Sequence, residues 1–167
     1  MHIEFNFNGY LPDQYSKHAT SEFLTQGIPT HSFPFTVKDF PENTKYFAFS
    51  FLDHDSYPLV SFSWVHWLAV NVEAVSGGIS ENLKKTSKTA IFGQNSFASP
   101  VMGLTDTNIT WGYAGPTPPN ADHKYTLSVH ALSEKIDLKS GFFYNEFLDE
   151  VQKKSIAMAE ANVIARI

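Results

Sequence analysis

The chain has 167 residues, 43% of them hydrophobic and 15% aromatic, with 15 Phe and a formal net charge of −5. That length suits one domain able to bury roughly two-thirds of its unfolded surface, and the Phe-rich composition favours sheet packing over a helical bundle. The negative charge excludes a general attraction to nucleic acid or to anionic membrane, and the absence of Cys excludes disulfides, thiolate nucleophiles and cysteine-based zinc sites.

In chain order, Met1 to Phe7 alternates polar and apolar residues, placing Ile3, Phe5 and Phe7 on one face of a first strand that stops at Asn8-Gly9. This start lacks the basic stretch and apolar core of a signal peptide, and no run reaches the ~18 apolar residues of a membrane span. A cytoplasmic protein with no integral membrane segment is expected. Tyr10 to Pro34, with Pro12, Gly27 and Pro29, should run irregularly, and Phe33 to Val37 reads as a strand. Asp39 to Asn43 turns the chain into a strand from Tyr46 to Leu52 that delivers Asp53; Tyr57-Pro58-Leu59 continues a loop. Val65 to Val72 reads as a buried strand broken by Ser76-Gly77-Gly78. Glu81 to Leu83 suits a short helical turn, and Ile91-Phe92-Gly93 begins another loop. After a long polar stretch comes the Pro-rich loop Gly115 to Pro119, then a strand from Tyr125 to Leu132. From Phe142 onward, Phe143, Phe147, Val151, Ile156, Ala159 and Val163 recur at helical spacing. With no repeat and no interior linker, residues 1–167 read as a single, mainly β domain of two packed sheets with a C-terminal α-helix.

Chemistry concentrates where greasy strands end. Asp53 and Asp55 are two apart, so in an extended segment both carboxylates project to one side. A neighbouring strand can bring His66 to them, and the stiff loop Gly115-Pro116-Thr117-Pro118-Pro119 leads to His123 and Tyr125. Carboxylates beside imidazoles orient the rings and favour their protonated form. Backbone N–H groups near Gly115 would add donors, while the prolines lower the ordering cost of binding. The bland alternative is that an Asp at a strand end fixes a loop through an Asx-turn; Trp67 and Trp111 read as packing.

These residues resemble the phosphatidylethanolamine-binding protein family, in particular its small bacterial, Raf-kinase-inhibitor-like branch. The family's Asp-Pro-Asp-x-Pro stretch is matched by Asp53-His54-Asp55-Ser56-Tyr57-Pro58, and its His-Trp-x-x-x-Asn by His66-Trp67-Leu68-Ala69-Val70-Asn71. Gly93-Gln94-Asn95 resembles its Gly-x-Asn segment, and Pro41 to Lys45 its Pro-x-x-Thr-Lys turn. Tyr113-Ala114-Gly115-Pro116-Thr117-Pro118-Pro119 with His123-Lys124-Tyr125 resembles its Pro-rich stretch. The pattern departs at His54, where the family carries Pro, by one extra residue before Pro58, and in a longer segment 96–111. The resemblance implies two packed antiparallel sheets and a small pocket for phosphate, phosphoryl headgroups or acetate. By position it implies Asp53, His66, His123 and Tyr125 in that pocket, with Asp55, Gly115 and the adjoining prolines, Pro116 first among them, in its wall.

Residues and resemblance together point to a binding module for a small anionic ligand, with a modulating role towards another enzyme implied by the family. A protein partner and a homodimer both stay open. The rival is a hydrolase with Asp53 as base and His66 or His123 as acid; it lacks a nucleophile elbow, phosphate loop or cofactor fingerprint. Metal binding by Asp53, Asp55, His66 and His123 ranks last, because their spacing matches no metal motif. No cofactor is expected.

Overall fold

The computed structural model describes residues 1–167. Its elements in chain order are β1 (His2–Glu4), β2 (Leu24–Thr25), β3 (Ile28–Pro29), β4 (Phe35–Lys38), β5 (Tyr46–Asp53), α1 (Tyr57–Val60) and β6 (Trp64–Glu73). They continue with β7 (Gly78–Ile79), α2 (Leu83–Thr86), β8 (Ile91–Phe92), α3 (Thr107–Thr110), β9 (His123–Leu132), α4 (Tyr144–Lys154) and β10 (Ser155–Ala165).

Alternation along β5 explains the layering. Phe47, Phe49 and Phe51 turn to one face, Ala48 and Ser50 to the other, and all are buried. A strand covered on both faces belongs in the middle of its sheet, and β5 is the centre of the five-stranded order β10-β9-β5-β6-β8. The second sheet has the order β1-β4-β7, and every pairing in both is antiparallel. Between the sheets lies an aromatic core in which Phe33 meets Phe51, Trp67 and Tyr113 edge-on, with centroids 5.2, 5.7 and 5.8 Å away. Such pairs each add ~0.5–1.5 kcal/mol beyond area burial. On the outer face α4 sets Phe147 and Val151 against Ala48, Leu68, Val70 and Leu132. The small side chains of Ala48 and Ser50 leave room for the helix.

The helical stripe ends sooner than its spacing suggests. The helix stops at Lys154, and Ser155–Ala165 is instead β10, paired along its length with β9. Ala159 and Val163 are four apart, an interval that satisfies both a 3.6-residue and a 2-residue period. Ala157, Ala159, Val163 and Ala165 turn inward in strand alternation. Pairing with β9 gives this segment's backbone its hydrogen bonds across the sheet. Smaller differences are of the same kind: β1 ends at Glu4 although Phe5 and Phe7 still stack at 5.0 Å, Tyr57–Val60 is helical, and Ile91–Phe92 pairs with β6.

Two bulges in β6 set the facing of its side chains. Phe47 and Phe49 pair with Val72 and Ala69, so β6 carries one extra residue there, next to Asn71, whose φ is +60°. Asn71 stays in that conformation by exchanging two hydrogen bonds of 2.8 Å with the backbone of Ile136. At the second bulge Phe51 faces Trp67 while Leu52 faces Val65, which leaves His66 unpaired in the ladder. Such a bulge re-aims side chains. His66 and Trp67, although consecutive, both turn to the inner face: Trp67 enters the core, and the His66 ring lies 5.1 Å from that of Tyr125 and 6.1 Å from that of Phe51.

Candidate functional site

Asp53 ends β5 because Ser56 folds back on it. The Ser56 backbone N–H donates to Oδ1 of Asp53 at 3.2 Å, and the Ser56 hydroxyl lies 2.8 Å from the Asp53 carbonyl. The alternative of an Asp that fixes its loop is thus met in part: the bond reaches three residues on rather than the two of an Asx-turn, and it occupies one oxygen of the carboxylate. The other, Oδ2, accepts from Nδ1 of His123 at 2.8 Å, with both side chains buried. Register explains the meeting: Asp53 pairs with Tyr125 across the β5–β9 ladder, and His123 lies two residues away on the same face. Nε2 of His123 contacts Oδ1 of the exposed Asn120 at 2.9 Å. Asp53 can only accept at Oδ2, so Nδ1 carries the hydrogen of that bond, and Nε2 faces the amide of Asn120.

His66 differs from the sequence expectation of a ring tending to protonation. Its Nδ1 lies 2.6 Å from the Ala114 carbonyl, which can only accept, so Nδ1 carries the hydrogen. Burial pushes its pKa down to about 4, outweighing the Ala114 carbonyl and Asp53, which raise it; His123 lowers it further. The ring is neutral at pH 7. Its Nε2 has no protein partner, yet it is not sealed from solvent and belongs to a residue lining a cavity. The Tyr125 hydroxyl is buried at the same place without a partner in hydrogen-bonding geometry. Burial raises its pKa, with the nearby charges of Asp53 and Asp55 adding to the shift; the Asp53 carboxylate lies close to the hydroxyl but out of line for a well-formed hydrogen bond.

These four residues form the polar floor of an open cavity of about 260 Å³. Leu59 and Val60 from α1, Trp64 from β6, Phe97, Met102 and the loop residues Thr117, Pro118 and Pro119 complete its walls. The apolar collar was missed in the sequence; its signal was the run Tyr57-Pro58-Leu59-Val60 directly after the Asp pair.

Three expected wall residues do not line the cavity. Asp55 is exposed, and its Oδ2 accepts from the backbone N–H of Lys124 at 2.8 Å. The two-residue rule fails there because the chain leaves the extended conformation after Asp53. Gly115 sits behind the loop, with its N–H already donated to the Pro29 carbonyl at 2.8 Å, so it offers no donor to a ligand. Pro116 is also behind, its carbonyl accepting from the Lys17 N–H at 2.9 Å. Both anchor the stretch that carries Thr117, Pro118 and Pro119. No group of three or more His, Asp or Glu side chains is placed to hold a metal ion, and no helix is long and apolar enough to cross a membrane.

Comparison with known proteins agrees with this architecture. The family model "Phosphatidylethanolamine-binding protein" matches residues 2–166. The uncharacterized protein YxkA of Bacillus subtilis is 40% identical over the whole of both chains. A UPF0098 protein of Methanothermobacter thermautotrophicus is 26% identical, covering 89% of this chain and 85% of its own. In fold, the chain is similar to E. coli YbcL, described as a new member of the mammalian PEBP family, with TM-score 0.75, 24% identity and coverage of 99% and 98%. It is likewise similar to CT736 of Chlamydia trachomatis, a putative homolog of the same family, with TM-score 0.74, 22% identity and coverage of 98% and 95%. With its two antiparallel sheets and a family match over nearly every residue, the chain belongs to the phosphatidylethanolamine-binding protein family.

Proposed function

We propose that the cavity binds a small oxyanion, above all a phosphate or phosphoryl group. The observation that carries this reading is the floor: a buried Tyr125 hydroxyl without a partner, beside a His123 imidazole braced from behind by Asp53. An unpaired buried hydroxyl costs ~1–3 kcal/mol, which a ligand oxygen would recover. The exposed Asn120 carbonyl at Nε2 of His123 is a displaceable stand-in for that oxygen. The Asp53 carboxylate then serves the ligand indirectly, by orienting the ring. The apolar collar suits the remainder of a ligand that is not wholly polar.

The hydrolase reading has less support. Ser56, the serine lining the cavity, has its hydroxyl between the carbonyls of Asp53 and Phe62, at 2.8 and 2.7 Å, while it accepts from the Trp64 N–H at 3.0 Å. It faces no imidazole that could activate it.

Calorimetry at pH 6 with inorganic phosphate tests the proposal. Native protein should bind saturably, one ligand per chain, and His123→Ala should bind at least tenfold more weakly while keeping a cooperative urea transition. Absence of saturable heat with the native protein refutes the reading. Phosphate released from a monoester, with release abolished in His123→Ala, would establish the hydrolase instead.

A further inference from the structure

The floor holds a mismatch that chooses among oxyanions. With the hydrogen of His66 committed to the Ala114 carbonyl at 2.6 Å, a neutral ring presents only a lone pair at Nε2. A lone pair and a fully ionised oxyanion repel. Asp53 cannot supply the missing hydrogen, because its two oxygens already accept from His123 and from the Ser56 N–H. The titratable groups around the ring are Asp53 on β5 and His123 and Tyr125 on β9; the Ala114 carbonyl is its polar partner from the Pro-rich loop. On the oxyanion reading, we infer that this pocket takes its ligand as an acid: a hydrogen on a ligand oxygen is donated to Nε2 of His66. The bound species is then a phosphate monoester in its singly charged, monohydrogen form rather than the dianion.

Burial disfavours the alternative, in which the ring itself takes up the proton, since it holds the His66 pKa down to about 4. The remaining ester oxygens face the Tyr125 hydroxyl and the ring of His123. One net negative charge against the Asp53–His123 pair also avoids setting a dianion beside a buried carboxylate. His66 is thereby a specificity residue that tells a hydrogen-bearing oxyacid from an isosteric one without the hydrogen. Sites that pair a buried polar atom with a ligand hydroxyl discriminate strongly against ligands lacking it.

Methyl phosphate and methyl sulfate separate the cases. The second ionisation of a phosphate monoester lies at about pH 6, and methyl sulfate carries the same single charge with no acidic hydrogen. Calorimetry of the native protein at pH 5.5 should give at least tenfold tighter binding of methyl phosphate. Between pH 7 and 8.5 its affinity should fall about tenfold per pH unit relative to methyl sulfate, as linkage requires for one proton. Repeating the titration at pH 8 in two buffers of different ionisation enthalpy should show close to one proton taken up per ester bound. Equal affinity for the two esters, or pH-independent methyl phosphate binding without proton uptake, overturns the acid form and leaves the anion pocket standing. Failure of both esters to bind at any of these pH values overturns both.

Discussion

Gly115→Ala tests whether the Pro-rich loop is seated by close backbone packing. A Cβ at position 115 would overlap the Tyr15 carbonyl oxygen and lie 2.8 Å from Cβ of Pro29. Neither neighbour can swing aside. The Tyr15 oxygen also accepts from the Tyr113 hydroxyl at 2.5 Å, and the Pro29 carbonyl holds the Gly115 N–H. Relief therefore requires the loop to lift away from the segment around Tyr15, straining the bonds from the Lys17 N–H to Pro116 and from the Lys17 ammonium to the Pro118 carbonyl, 2.9 and 2.7 Å long. Overpacking of this kind costs ~1–3 kcal/mol, which in a chain of this size lowers Tm by roughly 3–10 °C. Since Thr117, Pro118 and Pro119 line the cavity, phosphate affinity should fall as well. Urea and thermal unfolding provide the assay, with Gly78→Ala as the control, because a Cβ there meets nothing within 4 Å. Equal midpoints for the two variants would refute the reasoning.

Two further outcomes arise from buried polar groups. Asn71→Ala strands the N–H and carbonyl of Ile136 and puts a Cβ-bearing residue without local hydrogen bonds at φ +60°; urea unfolding should show a loss of about 3–5 kcal/mol, and a loss below about 1 kcal/mol would contradict the role given to its amide. His66 has a pKa of about 4 when folded, against 6.5 when exposed, so between those values the unfolded chain binds more protons and stability rises with pH. The native state should be fully stable above about pH 6.5 and lose about 2 kcal/mol between pH 7 and pH 5 from this group. In His66→Gln that component should vanish from the urea midpoints, and parallel pH profiles for the two proteins would contradict a buried neutral ring.

Much of the architecture is legible in the residues. Period-2 phenylalanines in β5 mark a central strand, and the Tyr125-Leu127-Val129-Ala131 face marks its neighbour β9, because alternation depends only on strand geometry. Asp53, His123 and Tyr125 follow from those same strands, since each lies within or at the end of an element whose facing is set by neighbouring hydrophobics. Beyond the ends of the strands the rule stops working. Asp55 lies past the turn made by Ser56, and its carboxylate holds a backbone N–H on the outside of the pocket.

Local pattern by itself thus determined a Phe-rich double-sheet fold and the residue types at the mouth of one pair of strands, because side-chain periodicity is a property of a few adjacent residues. Only the tertiary structure decided that Ser155–Ala165 is a strand, since a four-residue spacing suits both periods and the open edge of β9 resolves it. It also decided that His66 faces the cavity, because an extra residue against β5 turns it to the side of Trp67. The neutral state of that ring was equally beyond the sequence: the Ala114 carbonyl and the surrounding burial come from chain segments far from His66.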